Sequence, residues 1–170
     1  MICFNSNLFL AFLTHLRCVF SDPGKTPQLS AGSSDMRICT HCSQIKPDRT
    51  HHCKACKSCF HKMDHHCPWI NNCVAWKNQK FFFLFNLYIG LSSLIGLIIV
   101  FFCGYRYFNA PKRIRPRVLP IILTSLFVVE CVGFMIFTGE NLYEHLFIIL
   151  DNQTVIDSYQ DKWGPPVIYN

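Results

Sequence analysis

Eight residues in the middle of this 170-residue chain recur at a fixed offset. Cys39, Cys42, His52 and Cys59 read C-x2-C-x9-H-x6-C, and adding 14 to each number gives Cys53, Cys56, His66 and Cys73. Each copy supplies three thiolates and one imidazole, the donor set of a closed, four-coordinate structural zinc site. The copies interleave, because Cys59 of the first lies beyond Cys53 and Cys56 of the second. Both sites are therefore tied into one unit of about 35 residues, where metal binding must supply much of the folding free energy, on the order of 10 kcal/mol per site. Two alternatives stay open on spacing alone. The cysteines could pair as disulfides, and His51 with His65 would satisfy the same offset as His52 with His66.

The repeat leaves one sulfur over. Cys53 follows His52 and opens the second copy; Cys67 follows His66 but opens no third, because Ile70 stands three residues on. Cys67 thus has no ligand duty in the pattern, and Asp64 and His65 lie just before it. A thiolate is the reactive form of cysteine, an imidazole can take the thiol proton, and a carboxylate can fix the imidazole's tautomer. Asp64, His65 and Cys67 are accordingly the candidate base-activated nucleophile. The competing reading is that Cys67 is a spare zinc ligand.

These residues need elements to hold them, and the rest of the chain supplies apolar ones. The sequence is 51% hydrophobic and 15% charged, with 16 Phe, 11 Cys and a net charge of +6. That excludes a disordered chain and a collagen-like one. Residues 81–103 run for 23 positions without a charge, about 35 Å as a helix against a hydrocarbon core of about 30 Å. Residues 118–138 form a second apolar run with one charge, Glu130, and Pro120 suits the first turn of such a helix. An ionisable group in a span costs at least about 2.5 kcal/mol, so Glu130 should line a cavity or join helices rather than face lipid. Residues 1–20 are apolar but interrupted. They lack a basic leader and a small-residue cleavage site, which disfavours a signal peptide and suggests the remnant of a membrane helix.

The expected fold is an α-helical membrane protein with an inserted small cysteine-rich domain binding two zinc ions. Its expected segments are residues 1–20 (helix remnant), 21–80 (cysteine-rich zinc domain), 81–103 and 118–138 (transmembrane helices), 104–117 (basic loop) and 139–170 (C-terminal segment). Zinc-bound thiolates need a reducing compartment, which puts 21–80 in the cytosol. The loop carrying Arg106, Lys112, Arg113, Arg115 and Arg117 then lies on the opposite side, against the positive-inside rule. The net charge would suit a nucleic-acid binder. The membrane spans, and the lack of a basic-aromatic reading surface, exclude one.

The run Asp64-His65-His66-Cys67, inside CTHCSQIKPDRTHHCKACKSCFHKMDHHCPWINNCVAWKNQKFF, resembles the cysteine-rich domain of the DHHC-type protein S-acyltransferases, or palmitoyltransferases. Asp22-Pro23-Gly24 resembles that family's DPG motif, and Thr154-Val155-Ile156-Asp157 stands in the place of its TTxE motif. The departures are Ala75, where the family usually has Gly, Val155 for the second Thr, and Asp157 for the Glu. The resemblance implies four membrane helices with the zinc domain between the second and third, so this chain looks N-terminally shortened. It implies Cys67 as nucleophile, His65 as general base, Asp64 as its orienting group, and His66 as a zinc ligand. It implies palmitoyl-CoA or another long-chain acyl-CoA as donor, protein cysteines as acceptors, the lipid bilayer as partner, and residence in endomembranes or the plasma membrane. Arg49, Lys77 and Lys80 could meet coenzyme A phosphates or simply face solvent or headgroups. A zinc-stabilised membrane adaptor without activity is the alternative.

Overall fold

A computed structural model describes residues 2–28, 37–109 and 118–163. The elements, in order, are α1 (Ile2–Phe20), β1 (Thr50–Cys53), β2 (Ser58–His61), β3 (His65–Cys67), β4 (Asn72–Val74), α2 (Gln79–Phe108), α3 (Val118–Asp151) and α4 (Val155–Trp163). The chain divides into two units: residues 1–13 with 84–143, and residues 14–83 with 144–170.

The first unit is helical. Two helices are long and apolar enough to cross a membrane, α2 and α3. Among the described residues only 17% and 6% of their most apolar stretches are buried, unlike the core helix of a soluble protein. Both helices outrun the apolar runs read from the sequence. α2 extends to Phe108, and α3 continues thirteen residues past Thr138, because a helix backbone satisfies its own hydrogen bonds whether or not its side chains are apolar. Small residues allow close approach: a Cβ on Gly90 would lie 2.9 Å from Thr138 Oγ1, and one on Gly96 would lie 3.0 Å from the Phe127 ring. Asn7 donates to Tyr88 O and Ser92 Oγ, both at 2.7 Å. Glu130 lines a cavity of about 190 Å³ with Ser92, Ser93, Phe127, Cys131 and Phe134, consistent with the cavity-lining expectation. Of the basic loop, Arg106 lies in α2, whereas Lys112, Arg113, Arg115 and Arg117 lie outside the described residues.

The second unit carries the repeat, and the offset of 14 reappears in its backbone. β1 pairs antiparallel with β2, placing His52 opposite Cys59; β3 pairs with β4, placing His66 opposite Cys73. After each C-x2-C turn the backbone enters the left-handed region, at Ser43 (φ 56°) and Lys57 (φ 52°). The same conformation recurs at Asn71 (φ 47°). The turn from Cys67 to Asn71 therefore has the shape of a third metal knuckle, with Ile70 in place of the second cysteine. Ile70 is buried and packs with Cys18, Cys67, Val74 and Phe82. A second small core joins Cys53, Phe60, Met63, Cys73 and Ala75. Ala75 takes no left-handed conformation, so its methyl group is accommodated there.

Side chains fasten the helix ends to this unit. The Asn72 amide nitrogen, with two hydrogens to donate, lies 3.0–3.2 Å from the carbonyls of Cys18, Val19 and Ser21, at and just past the end of α1. Asp22 Oδ1 accepts from the N–H groups of Gly24 and Lys25, closing a tight turn. Gly24 has φ +113°, and a Cβ there would meet Trp76 Nε1 at 2.2 Å, so only glycine fits. This accounts physically for Asp22 and Gly24 of the DPG run. Gln44, also buried, accepts from Cys59 N at 2.7 Å and donates to Thr26 O.

Candidate active site

The eight repeat residues gather into two clusters, Cys39/Cys42/His52/Cys59 and Cys53/Cys56/His66/Cys73, with the ligand atoms of each within 4.8 Å of one another. A tetrahedral zinc with Zn–S of about 2.3 Å and Zn–N of about 2.0 Å requires edges of about 3.5–3.8 Å between its ligand atoms. In the first cluster Cys39 Sγ to His52 Nδ1 is 3.6 Å, Cys42 Sγ to Cys59 Sγ 3.6 Å, and Cys59 Sγ to His52 Nδ1 3.8 Å. In the second, His66 Nδ1 lies 3.6, 3.4 and 3.7 Å from Cys53, Cys56 and Cys73, and the Cys56 and Cys73 sulfurs are 3.5 Å apart. Both clusters fit zinc. The cysteines are unbridged thiols, which removes the disulfide alternative, and His51 and His65 stay outside both clusters. Burial, then the neighbouring thiols, push Cys59 and Cys73 strongly up in pKa. Three sulfurs so crowded can all ionise only around a cation.

The period of a strand now separates the roles within Asp64-His65-His66-Cys67. Successive side chains alternate faces, so His66 turns toward the second cluster while His65 and Cys67 share the other face. His65 Nδ1 donates to Asp64 Oδ2 at 3.0 Å, which leaves Nε2 for the Cys67 thiol. Cys67 is buried. Burial alone would raise its pKa, but the contact with His65 and the N–H groups of Trp69 and Ile70 hold it below the usual thiol range. These N–H donors match the metal knuckles, where the second and third residues after Cys39 and Cys53 donate to its sulfur. Ile70 thus preserves the thiolate-stabilising turn without offering a second sulfur. Burial opposes the charged form of His65, yet the hydrogen bonds to Asp64 and Cys67 outweigh it and raise its pKa to about 9. Asp64 would be raised by burial, but His65 and the Val155 N–H hold it below the carboxylate range.

Several groups at the site were not singled out from sequence. Val155 N–H, at the start of α4, donates to Asp64 Oδ1 at 2.9 Å. A capping box sets this helix start: Thr154 Oγ1 accepts from Asp157 N at 3.2 Å, and Asp157 Oδ2 accepts from Thr154 N at 2.9 Å. The same Oδ2 takes Arg49 Nε at 2.9 Å and a guanidinium nitrogen at 2.6 Å. Aspartate therefore serves in the TTxE-like position, and a backbone N–H does work that Val155's side chain cannot. Arg49, a candidate for phosphate contact, is committed to Asp157 and Asn152 O, and Lys77 to Asp22. His145 Nε2 lies 3.5 Å from Asp64 Oδ2. The histidine beside Glu144, in the otherwise apolar stretch Leu142 to Leu150, was the signal that could have marked it.

Residues 32–162 match the family model described as DHHC palmitoyltransferase. The chain belongs to this family. Among curated relatives, Palmitoyltransferase ZDHHC3 of Rattus norvegicus is 40% identical over 95% of this chain and 58% of its own length. Palmitoyltransferase ZDHHC7 of Rattus norvegicus is 37% identical over 95% and 57%. Probable protein S-acyltransferase 15 of Arabidopsis thaliana is 33% identical over 85% and 60%. The DHHC chain thus spans a little over half the length of the relatives it matches. With its two uncovered apolar helices, it is a membrane protein.

Proposed function

We propose that this chain is a protein S-acyltransferase that moves a long-chain acyl group, such as palmitoyl, from acyl-CoA to protein cysteines through an acyl-Cys67 intermediate. The observation that carries this reading is the pair His65 and Cys67 on one face of β3, with Asp64, just before the strand, bonded to His65 Nδ1 and with His66 turned to a zinc-type cluster on the other face.

Cys67, held as a thiolate by His65 and two backbone N–H groups, attacks the thioester carbonyl. The carbon–sulfur bond to coenzyme A breaks, and the coenzyme A thiolate takes the His65 proton. In the second half, His65 takes the proton of an incoming protein cysteine, whose sulfur attacks acyl-Cys67; the Cys67 thiolate is released. One thioester replaces another, so the exchange is close to energetic balance. Asp64 keeps His65 in the tautomer that presents Nε2 to sulfur. Zinc, held by Cys39, Cys42, His52 and Cys59 and by Cys53, Cys56, His66 and Cys73, would fix both hairpins as a structural ion. A membrane location suits the donor, since each methylene of an acyl chain gains about 0.8 kcal/mol on leaving water. The reading places the cysteine-rich segment in the cytosol of a multi-pass protein of endomembranes or the plasma membrane.

The test is autoacylation. Purified chain in detergent, given clickable palmitoyl-CoA, should gain a hydroxylamine-sensitive label that Cys67→Ser lacks. Two zinc equivalents without label would favour an inactive adaptor; label persisting in Cys67→Ser would remove the assigned nucleophile.

A further inference from the structure

Near the end of α3, His145 is 3% exposed, although it belongs to a helix whose apolar side chains are mostly uncovered. Its ring centre lies 5.1 Å from that of Phe82 at 38° and 6.3 Å from that of His65 at 87°. Phe82 in turn lies 5.3 Å from His65 at 72°. Two of these rings, His65 and His145, reach Asp64, which is 2% exposed. A buried carboxylate must be met by donors, and Asp64 is approached from three elements: Val155 N–H on Oδ1 at 2.9 Å, His65 Nδ1 on Oδ2 at 3.0 Å, and His145 Nε2 toward Oδ2 at 3.5 Å.

Val155 N–H holds Oδ1 of Asp64, but Oδ2 is met by the same His65 ring that it must orient. A second approach to Oδ2 from a rigid helix resolves this. We propose that His145 is a positioning residue: from α3 it fixes the plane of the Asp64 carboxylate, which then holds His65 toward Cys67. The inference rests on the acyl-transfer reading of Cys67. At 3.5 Å the contact is longer than a relaxed hydrogen bond, as polar contacts in resting active sites often are before they tighten around the reaction.

The test compares His145→Phe, which keeps a ring against Phe82 but loses the N–H, with His145→Gln, which restores an N–H at similar reach. Both are made in the full chain in detergent, with zinc content as the check on folding. Acylation of Cys67 by palmitoyl-CoA should slow roughly tenfold in His145→Phe and recover most of its rate in His145→Gln. In an Asp64→Asn background the phenylalanine change should add no further loss. Wild-type rates in His145→Phe would overturn the proposal. So would equal losses in both variants with two zinc equivalents retained, or a further tenfold loss on top of Asp64→Asn. His145→Leu replaces the phenylalanine variant if the latter cannot hold zinc. Should the unaltered chain take no label, the acyl-transfer reading fails by itself. Iodoacetamide alkylation of Cys67 then reads the same order of variants, and equal alkylation rates would overturn the role of His145.

Discussion

At the scale of single residues, Cys67 and Cys53 occupy equivalent places in the repeat, opposite Asn72 and Ser58 in matched hairpins. What separates a ligand from an unliganded thiol is the third residue on: Cys56 in one copy, Ile70 in the other. His65→Ala should therefore leave zinc at two equivalents and slow the acylation of Cys67 by roughly a hundredfold or more, read as the initial rate of label uptake; loss of zinc would instead place His65 among the ligands. The Arg49–Asp157 pair gives a second prediction. Burial raises the Asp157 pKa, but the Arg49 guanidinium and the Thr154 N–H outweigh it and hold it below the usual range. A depressed carboxylate contributes stability that is full above its unfolded pKa, near 3.9, and is lost only as pH falls through the folded value. Asp157→Asn should cost about 1–2 kcal/mol, and thermal unfolding should show the same gap at pH 7 and pH 5. A gap that closes between those two values would contradict the assignment.

At the scale of elements, β3 does with three residues what the sequence could state only as a choice between histidines. The offset of 14 allowed either His51 with His65 or His52 with His66. The structure gathers His52 and His66 with the cysteines, and strand alternation then turns the neighbours of His66, His65 and Cys67, the other way. The cysteines were legible from spacing, since C-x2-C turns carry their ligands locally. The anchor on Asp64 was not, because Val155 N–H is 91 residues away and a backbone donor leaves no mark in residue types. His145 leaves no clear mark for a related reason: it lies beyond the apolar run, in the C-terminal segment, where the structure continues α3. The turn at Gly24 yields a prediction at this scale. Gly24→Ala would force a Cβ into Trp76 at a backbone angle disfavoured for alanine, and should lower stability by about 1–3 kcal/mol, read as faster zinc release to a chelator. Unchanged release would show that the segment after α1 does not brace the zinc unit. Cys39→Ala, by contrast, should remove metal outright, and metal analysis giving two equivalents would refute the first ligand set.

At the scale of the whole molecule, two kinds of order coexist. Residues 14–83 with 144–163 have small cores, of five buried residues each, beside turns whose Cys/His clusters fit zinc. α2 and α3 close their own backbone hydrogen bonds and need only a hydrocarbon surrounding. Stripping zinc in detergent should therefore abolish the near-ultraviolet signal of Trp69 and Trp76 while most of the helical far-ultraviolet signal remains; joint collapse of both signals would contradict this division. In the proposed reaction one sulfur, that of Cys67, which lies outside both metal clusters, carries the acyl group. The most direct measurement is peptide mass spectrometry of the zinc-loaded chain after brief exposure to palmitoyl-CoA. The hydroxylamine-labile palmitoyl adduct should lie on Cys67, with the six cluster cysteines unmodified. An adduct confined to Cys18, Cys103 or Cys131, or a Cys67 found bridged to another cysteine, would contradict it.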